Sequence, residues 1–137
     1  MKKLQTVKPQ YISRSYGSIL HIWEPVFQSN YYYIIAKDYQ EYCAVIKHHF
    51  EIESKEEREN EPLGHTTCYE GKKGTMVFIW TKERTPDVLA HECLHAVAHE
   101  LNARGVVMTL SNDEIFAYFL QFLMREIIKF TEIKRKP

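Results

Sequence analysis

The segment from Thr85 to Gly105 carries the start and stop signals of one helix, with titratable side chains between them. Thr85, Pro86 and Asp87 supply a hydroxyl cap, a proline in the first turn and an acid near the positive end of the helix dipole. Gly105 can take the left-handed conformation that ends many helices. We therefore expect a helix that runs to about Arg104.

Inside this helix, the sequence His91-Glu92-Cys93-Leu94-His95 forms an H-E-x-x-H motif. Residues four apart project from nearly the same side of a helix, so His91 and His95 can offer two imidazoles to one cation. Glu92 stands beside them, where a carboxylate can accept a proton from zinc-activated water. Most other positions of the helix are small or apolar, and buried polar groups there are costly without a partner. The motif predicts a zinc site, with hydrogen-bonded core histidines as the alternative.

A catalytic zinc ion needs a third protein ligand. His99 extends the histidine series, but it lies about 12 Å along the helix axis from His91 at 1.5 Å per residue. Zinc–nitrogen bonds of about 2 Å cannot span that separation. We expect His99 to contact one of the metal-binding side chains, to face the substrate or to lie on the surface.

Glu114 is the favoured third ligand, on a second helix expected from Ser111 to about Thr131. The residues from 105 to 111 can span up to about 23 Å, enough to return Glu114 to the level of the histidine pair. Two alternatives stay open. Glu114 can instead form a capping box with Ser111, and Asp113 can be the ligand.

Tyr118 follows Glu114 by one turn on the same side of the second helix. Its hydroxyl can hydrogen-bond the ligand or a developing oxyanion. The alternative is an ordinary core tyrosine. If neither acid binds the metal, the remaining candidates are His99, His65 and Cys68.

The H-E-x-x-H motif followed by Asp113-Glu114-Ile115-Phe116-Ala117-Tyr118 resembles the gluzincin branch of zinc metallopeptidases, over about residues 74 to 130. It is similar in particular to small single-domain metallopeptidases encoded by bacteriophages. The resemblance implies a zincin-like minimal domain in which His91, His95 and Glu114 bind Zn²⁺ and Glu92 is the general base. It also implies that the strand before the motif helix, at Thr75 to Thr81, lines the cleft and pairs with extended substrate.

The remaining patterns predict a small twisted sheet with a helix packed on it, before the motif helix and the ligand helix. The predicted elements are strands Ser18 to Trp23 and Tyr31 to Ala36, a helix Asp38 to Phe50, and strands His65 to Glu70 and Thr75 to Thr81. Gly71 to Gly74 is the expected hairpin connection. Core candidates on the second helix are Ile115, Phe119, Phe122, Leu123 and Ile127. The fold class is α+β, in one domain over residues 1–137.

The composition limits which binding partners and which cellular compartment are expected. The chain has 137 residues, of which 45% are apolar, enough for a core without disulfides. Eighteen basic and eighteen acidic side chains cancel, so no overall field attracts nucleic acid or a membrane. Three cysteines without a C-x-x-C pair fit a reducing compartment. With no apolar run long enough for a bilayer, we expect a cytoplasmic protein.

These observations predict a zinc-dependent hydrolase, a metallopeptidase that cleaves the peptide bonds of a peptide or protein substrate with zinc-activated water. Glu92 would be the general base. The alternative is a catalytically silent, phage-encoded zincin-like protein that keeps the scaffold for binding or regulation. Substrate specificity and oligomeric state do not follow from the sequence.

Overall fold

The computed structural model describes residues 11–53, 60–71 and 74–135, which form five strands and three helices. The elements are β1 Ser13–Tyr16, β2 Ile19–Glu24, β3 Ser29–Ile34, α1 Tyr39–Phe50, β4 Gly64–Gly71, β5 Gly74–Thr81, α2 Pro86–Ala103 and α3 Asp113–Arg135. The strands make one sheet in the order β1-β2-β3-β5-β4. The β3 and β5 strands are parallel, and the other neighbouring pairs are antiparallel. The α+β class is confirmed.

Helices cover both sides of the sheet. Successive side chains of a strand point to opposite faces, so a single strand can contact both helical layers. On β5, Val77 and Ile79 pack with residues of α2 and α3, whereas Phe78 and Trp80 pack with residues of α1. All four side chains are fully buried. Burial of each aliphatic or phenyl side chain stabilises the fold by roughly 1.5–3 kcal/mol. The β5 strand therefore anchors both helical layers.

A stripe of apolar side chains at helical spacing attaches α3 to the rest of the core. The buried members of the stripe are Phe116, Phe119, Leu123, Ile127 and Phe130. Ile115 and Phe122, also predicted for the core, are half-buried and pack against the same cluster. The helix continues to Arg135, past the predicted end near Thr131.

The start of α3 differs from the prediction because Asn112 organises the preceding loop. Its side-chain oxygen accepts a hydrogen bond from the Thr109 backbone N–H at 2.7 Å, and its amide donates to the Val107 carbonyl at 2.7 Å. These bonds hold the chain outside the helix until Asp113, so the helix begins two residues after Ser111.

The four predicted strands and the first predicted helix are present, each within two residues of the expected bounds. Residues 72 and 73 of the expected hairpin lie outside the described residues. The β1 strand was missed, because Ser13–Tyr16 is short and largely exposed and lacks an apolar alternation. Among the described residues, no helix is long and apolar enough to span a membrane.

Candidate metal centre

The first turn of α2 has the residues predicted for a helix start, but their side chains bond differently. Thr85 takes the extended N-cap conformation and Pro86 is the first helical residue, yet the Thr85 side chain does not cap the backbone. Its hydroxyl instead donates to the Asp87 carboxylate. That hydrogen bond, helped by nearby backbone N–H groups, lowers the pKa of Asp87 below its usual value.

The predicted stop at Gly105 is confirmed. Gly105 has a φ of 79°. Its N–H donates to the Asn102 carbonyl at 2.9 Å, and the Val106 N–H donates to the Leu101 carbonyl at 2.8 Å. This pair of bonds is a Schellman motif, which satisfies carbonyls at the helix end. The helix that carries the motif is thus defined at both ends.

His91 and His95 project together from the exposed side of α2. Their Nε2 atoms are 3.2 Å apart, and their rings meet at an interplanar angle of 75°. The His91 side chain is 68% exposed. Two nitrogens bound tetrahedrally to one zinc ion at 2.0–2.1 Å would be roughly 3.3–3.4 Å apart. The observed separation fits that requirement closely, so the pair is suited to hold one zinc ion.

Glu92 is buried beside the histidine pair, and residues of the sheet contact its side chain. One carboxylate oxygen, Oε2, lies 4.0 Å from His91 Nε2. The Thr66 hydroxyl lies 2.8 Å from the other oxygen, Oε1, and 3.0 Å from the Glu92 backbone carbonyl. The backbone of Gly64 also approaches Glu92: a Cβ atom at position 64 would lie 2.7 Å from Glu92 Cγ. The carboxylate is therefore confined to one orientation.

These side chains share a cavity of about 530 Å³ between α2 and β4. From α2 it is lined by His91, Glu92, His95 and His99, and from β4 by residues 64–68. His99 thus faces the cavity, with its ring centroid 6.4 Å from that of His95. The Cys68 thiol is half-buried on the opposite wall, where burial and, to a lesser degree, Glu100 raise its pKa.

The strand at the cleft is β4, which corrects the expectation that Thr75 to Thr81 lines it. That segment lies in β5, which pairs with β3 along one edge and with β4 along the other. It has no unpaired edge for a substrate. The β4 strand is last in the sheet order, and residues 64–68 of it line the cavity. The error arose because sequence adjacency to the motif helix does not reveal the order of strands in a sheet.

The predicted third ligand is not brought to the histidine pair. Glu114 and Asp113 lie exposed in the first turn of α3 and are not among the residues that line the cavity. Within residues 11–53, 60–71 and 74–135, no group of three or more His, Cys, Asp or Glu side chains is placed to hold a metal ion. Glu114 as a ligand stays a prediction.

Tyr118, the predicted oxyanion or ligand contact, is 44% exposed and lies outside the cavity lining. Its ring meets Phe119 edge-on, with centroids 5.3 Å apart, and stacks on Phe122 at 6.3 Å. The catalytic role of Tyr118 also stays a prediction. Cys93, in contrast, is fully buried in the core that α2 shares with the sheet and α3.

The sequence patterns missed two groups of polar contacts made by glutamates of α2. Thr66 and Gly64 contact Glu92 from more than twenty positions away, and no local pattern signals such a contact. Glu100 is fully buried, with Oε1 accepting from the Ser29 hydroxyl at 2.7 Å and from Arg104 Nε at 2.6 Å. The four-residue spacing of Glu100 and Arg104 was a usable signal for that second group.

Comparisons with known proteins add no relative: no family model matches the sequence, and neither a curated protein nor a solved structure matches it.

Proposed function

We propose that this domain is a zinc-dependent hydrolase of the zincin-like type, and specifically a peptidase. In this proposal His91 and His95 bind zinc, with Glu114 as the third protein ligand, and Glu92 is the general base. The observation that carries the proposal is the convergence of the two imidazoles, with Nε2 atoms 3.2 Å apart, beside the confined Glu92 carboxylate.

The chemistry follows from the donor set. When bound, zinc lowers the pKa of a coordinated water to about 7 and polarises a carbonyl group. Thr66 occupies Oε1 of Glu92, so Oε2, the oxygen 4.0 Å from His91 Nε2, is the one available to accept a proton from water. Glu92 can then deliver that proton to the leaving amine.

The position of β4 supports a peptide as the substrate. As the last strand of the sheet, β4 has an outer edge with which no described residue pairs, and the backbone N–H and C=O groups of that edge lie beside the cavity. An extended peptide can add to such an edge through backbone hydrogen bonds that do not depend on its sequence. Its scissile bond would then lie next to the histidine pair.

One observation favours the alternative of a catalytically silent binding or regulatory protein. Among the described residues, no third His, Cys, Asp or Glu side chain joins the histidine pair in a group that could hold a metal ion, whereas a catalytic zinc site has three protein ligands. Under this alternative the 3.2 Å contact between His91 and His95 is a hydrogen bond between the two rings. Metal content and hydrolysis distinguish the two functions.

The first experiment measures zinc by mass spectrometry in protein purified without added metal. We expect one zinc ion per chain in the wild type and its loss in His91→Ala/His95→Ala. A matched control is His48→Ala/His49→Ala, which removes two exposed histidines of α1 whose rings meet edge-on 4.8 Å apart and which do not line the cavity at His91 and His95. Stoichiometric zinc in the His91→Ala/His95→Ala protein would refute the metal site.

The second experiment follows digestion of unfolded casein by the zinc-loaded protein. Glu92→Gln keeps the shape of the side chain but cannot accept the proton, so we expect retained zinc and a loss of rate of about 10²–10⁴-fold. Glu132→Gln, an identical change at an exposed position of α3, is the control and should leave the rate unchanged. Equal rates in wild type and Glu92→Gln would exclude Glu92 as the base, and no digestion by the wild type would favour the silent alternative.

A further inference from the structure

A second cavity, of about 240 Å³, lies on the other side of β4, between that strand and α1. Most of its wall is aromatic or aliphatic, including Tyr39, Tyr42, Ile46, Tyr69 and Phe78. An apolar cavity of about 150 Å³ is large enough to bind benzene. The second cavity therefore has room for an aromatic side chain.

The β4 strand separates this aromatic cavity from the cavity at the histidine pair, and its side chains alternate between the two. Thr66 and Cys68 face α2, where Thr66 bonds to Glu92. His65 faces α1, with its ring edge-on to Tyr39 at 5.2 Å. His65 and Thr67 line both cavities. Both cavities therefore meet at the same short stretch of the edge strand.

A peptide that extends along β4 would present its own side chains alternately to the two cavities, because the side-chain period of a strand is two. We propose that the aromatic cavity is a subsite for a large aromatic side chain of that peptide. The aromatic cavity would select the peptide residue next to the one that lies over the proposed metal site. This inference rests on the proposed function, and it names the substrate class as extended peptides with a Phe, Tyr or Trp at that position.

The chemistry of the cavity favours a neutral aromatic ring over a charged side chain. The ring walls offer edge-to-face and stacked contacts, which add to the effect of burying the apolar area. The carboxylate in the lining, Glu53, is 2.8 Å from Lys47 Nζ, so its charge is already paired. A lysine or arginine of the peptide would meet a carboxylate that Lys47 already partly neutralises, and its charge would lose hydration against the aromatic wall.

The test begins with binding, which needs no hydrolysis. N-acetyl-phenylalanine amide, N-acetyl-alanine amide and N-acetyl-lysine amide are titrated into the zinc-loaded full chain, and backbone amide shifts of Thr67 and Tyr69 are followed by NMR. We expect the phenylalanine probe to bind at least about tenfold more tightly than the alanine probe. Equal binding of these two probes, or tightest binding of the lysine probe, would overturn the proposal.

Two tryptophan variants of α1 locate the binding. Cys43→Trp fills the cavity and should weaken the phenylalanine probe at least about tenfold, whereas Ala44→Trp places the same ring on the exposed neighbouring position and should change nothing. Unchanged binding in Cys43→Trp would overturn the subsite. If circular dichroism shows that Cys43→Trp does not fold, Cys43→Phe fills part of the same cavity with a smaller ring instead.

The second part of the test maps cleavage sites in a peptide library by mass spectrometry. Wild type should show Phe, Tyr and Trp enriched at one position relative to the cleaved bond, and Cys43→Trp should lose this enrichment while keeping its zinc. Cleavage without any aromatic preference would overturn the subsite. If the phenylalanine probe binds as expected but no peptide is cleaved, the subsite stands and the hydrolase proposal fails.

Discussion

Gly64→Ala should displace Glu92 without touching the two histidines of the proposed metal site. The φ of Gly64 is not in the left-handed region, so alanine fits the backbone and the effect is steric. The new Cβ would lie 2.7 Å from Glu92 Cγ and 3.0 Å from both Cδ and Oε2. Carbon atoms in contact are normally about 3.5–4.0 Å apart, so Glu92 or β4 must move by about 1 Å.

The size of the effect follows from that movement. Overpacking of this kind costs about 1–3 kcal/mol, and loss of the hydrogen bond from Thr66 to the Glu92 carboxylate adds roughly 1–2 kcal/mol. We expect the free energy of unfolding to fall by about 2–5 kcal/mol in total. If Glu92 is the general base, a displacement of about 1 Å also lowers kcat/KM by about 100-fold, while zinc content stays unchanged.

A double-mutant cycle isolates the contact. Urea unfolding is measured in EDTA, so that metal binding does not contribute, for wild type, Gly64→Ala, Glu92→Ala and the double variant. In the Glu92→Ala background the atoms that clash are gone, and Gly64→Ala should cost little. An equal cost of Gly64→Ala in both backgrounds would refute the clash with Glu92, because the new methyl group would then meet something other than that side chain.

Three further predictions concern the core, acid stability and the metal. Tyr31→Phe should raise the free energy of unfolding by about 1 kcal/mol, because the buried Tyr31 hydroxyl has no partner among the described residues; a less stable variant in urea unfolding would contradict this. Burial lowers the pKa of His21, so the folded state favours the neutral imidazole. The contribution of His21 to stability is therefore complete above its ordinary pKa of about 6.5 and declines as the pH falls below that value. Between pH 7.5 and 5.5, the wild type should lose more stability than His21→Gln does. An equal loss in the two proteins would assign the acid sensitivity to other groups. In chelator competition, Glu114→Gln should weaken zinc binding by more than about 100-fold and Asp113→Asn should not; the reverse result would transfer the ligand role to Asp113.

The predicted elements succeeded where the signals were local. Gly105 ends α2 as expected, because a left-handed glycine and its two hydrogen bonds involve only the last turn. The start of α3 was misplaced because the side chain of Asn112 bonds to Thr109 and Val107 in the loop, an arrangement that the capping pattern of Ser111 does not reveal.

The candidate site also has features that local sequence signals predict and features that they do not. That His91 and His95 face one direction, with Glu92 beside them, follows from 3.6 residues per helical turn and needs nothing beyond the sequence.

Tertiary structure alone decided what those side chains face. Strand order placed β4, not β5, at the cleft, and strand register brought Thr66 and Gly64 to Glu92. The tertiary structure also left Glu114 exposed on α3, outside the set of residues that line the cavity. A helix specifies its own faces through local backbone geometry. The surface against which it packs depends on contacts between segments far apart in the chain, and no local pattern encodes those.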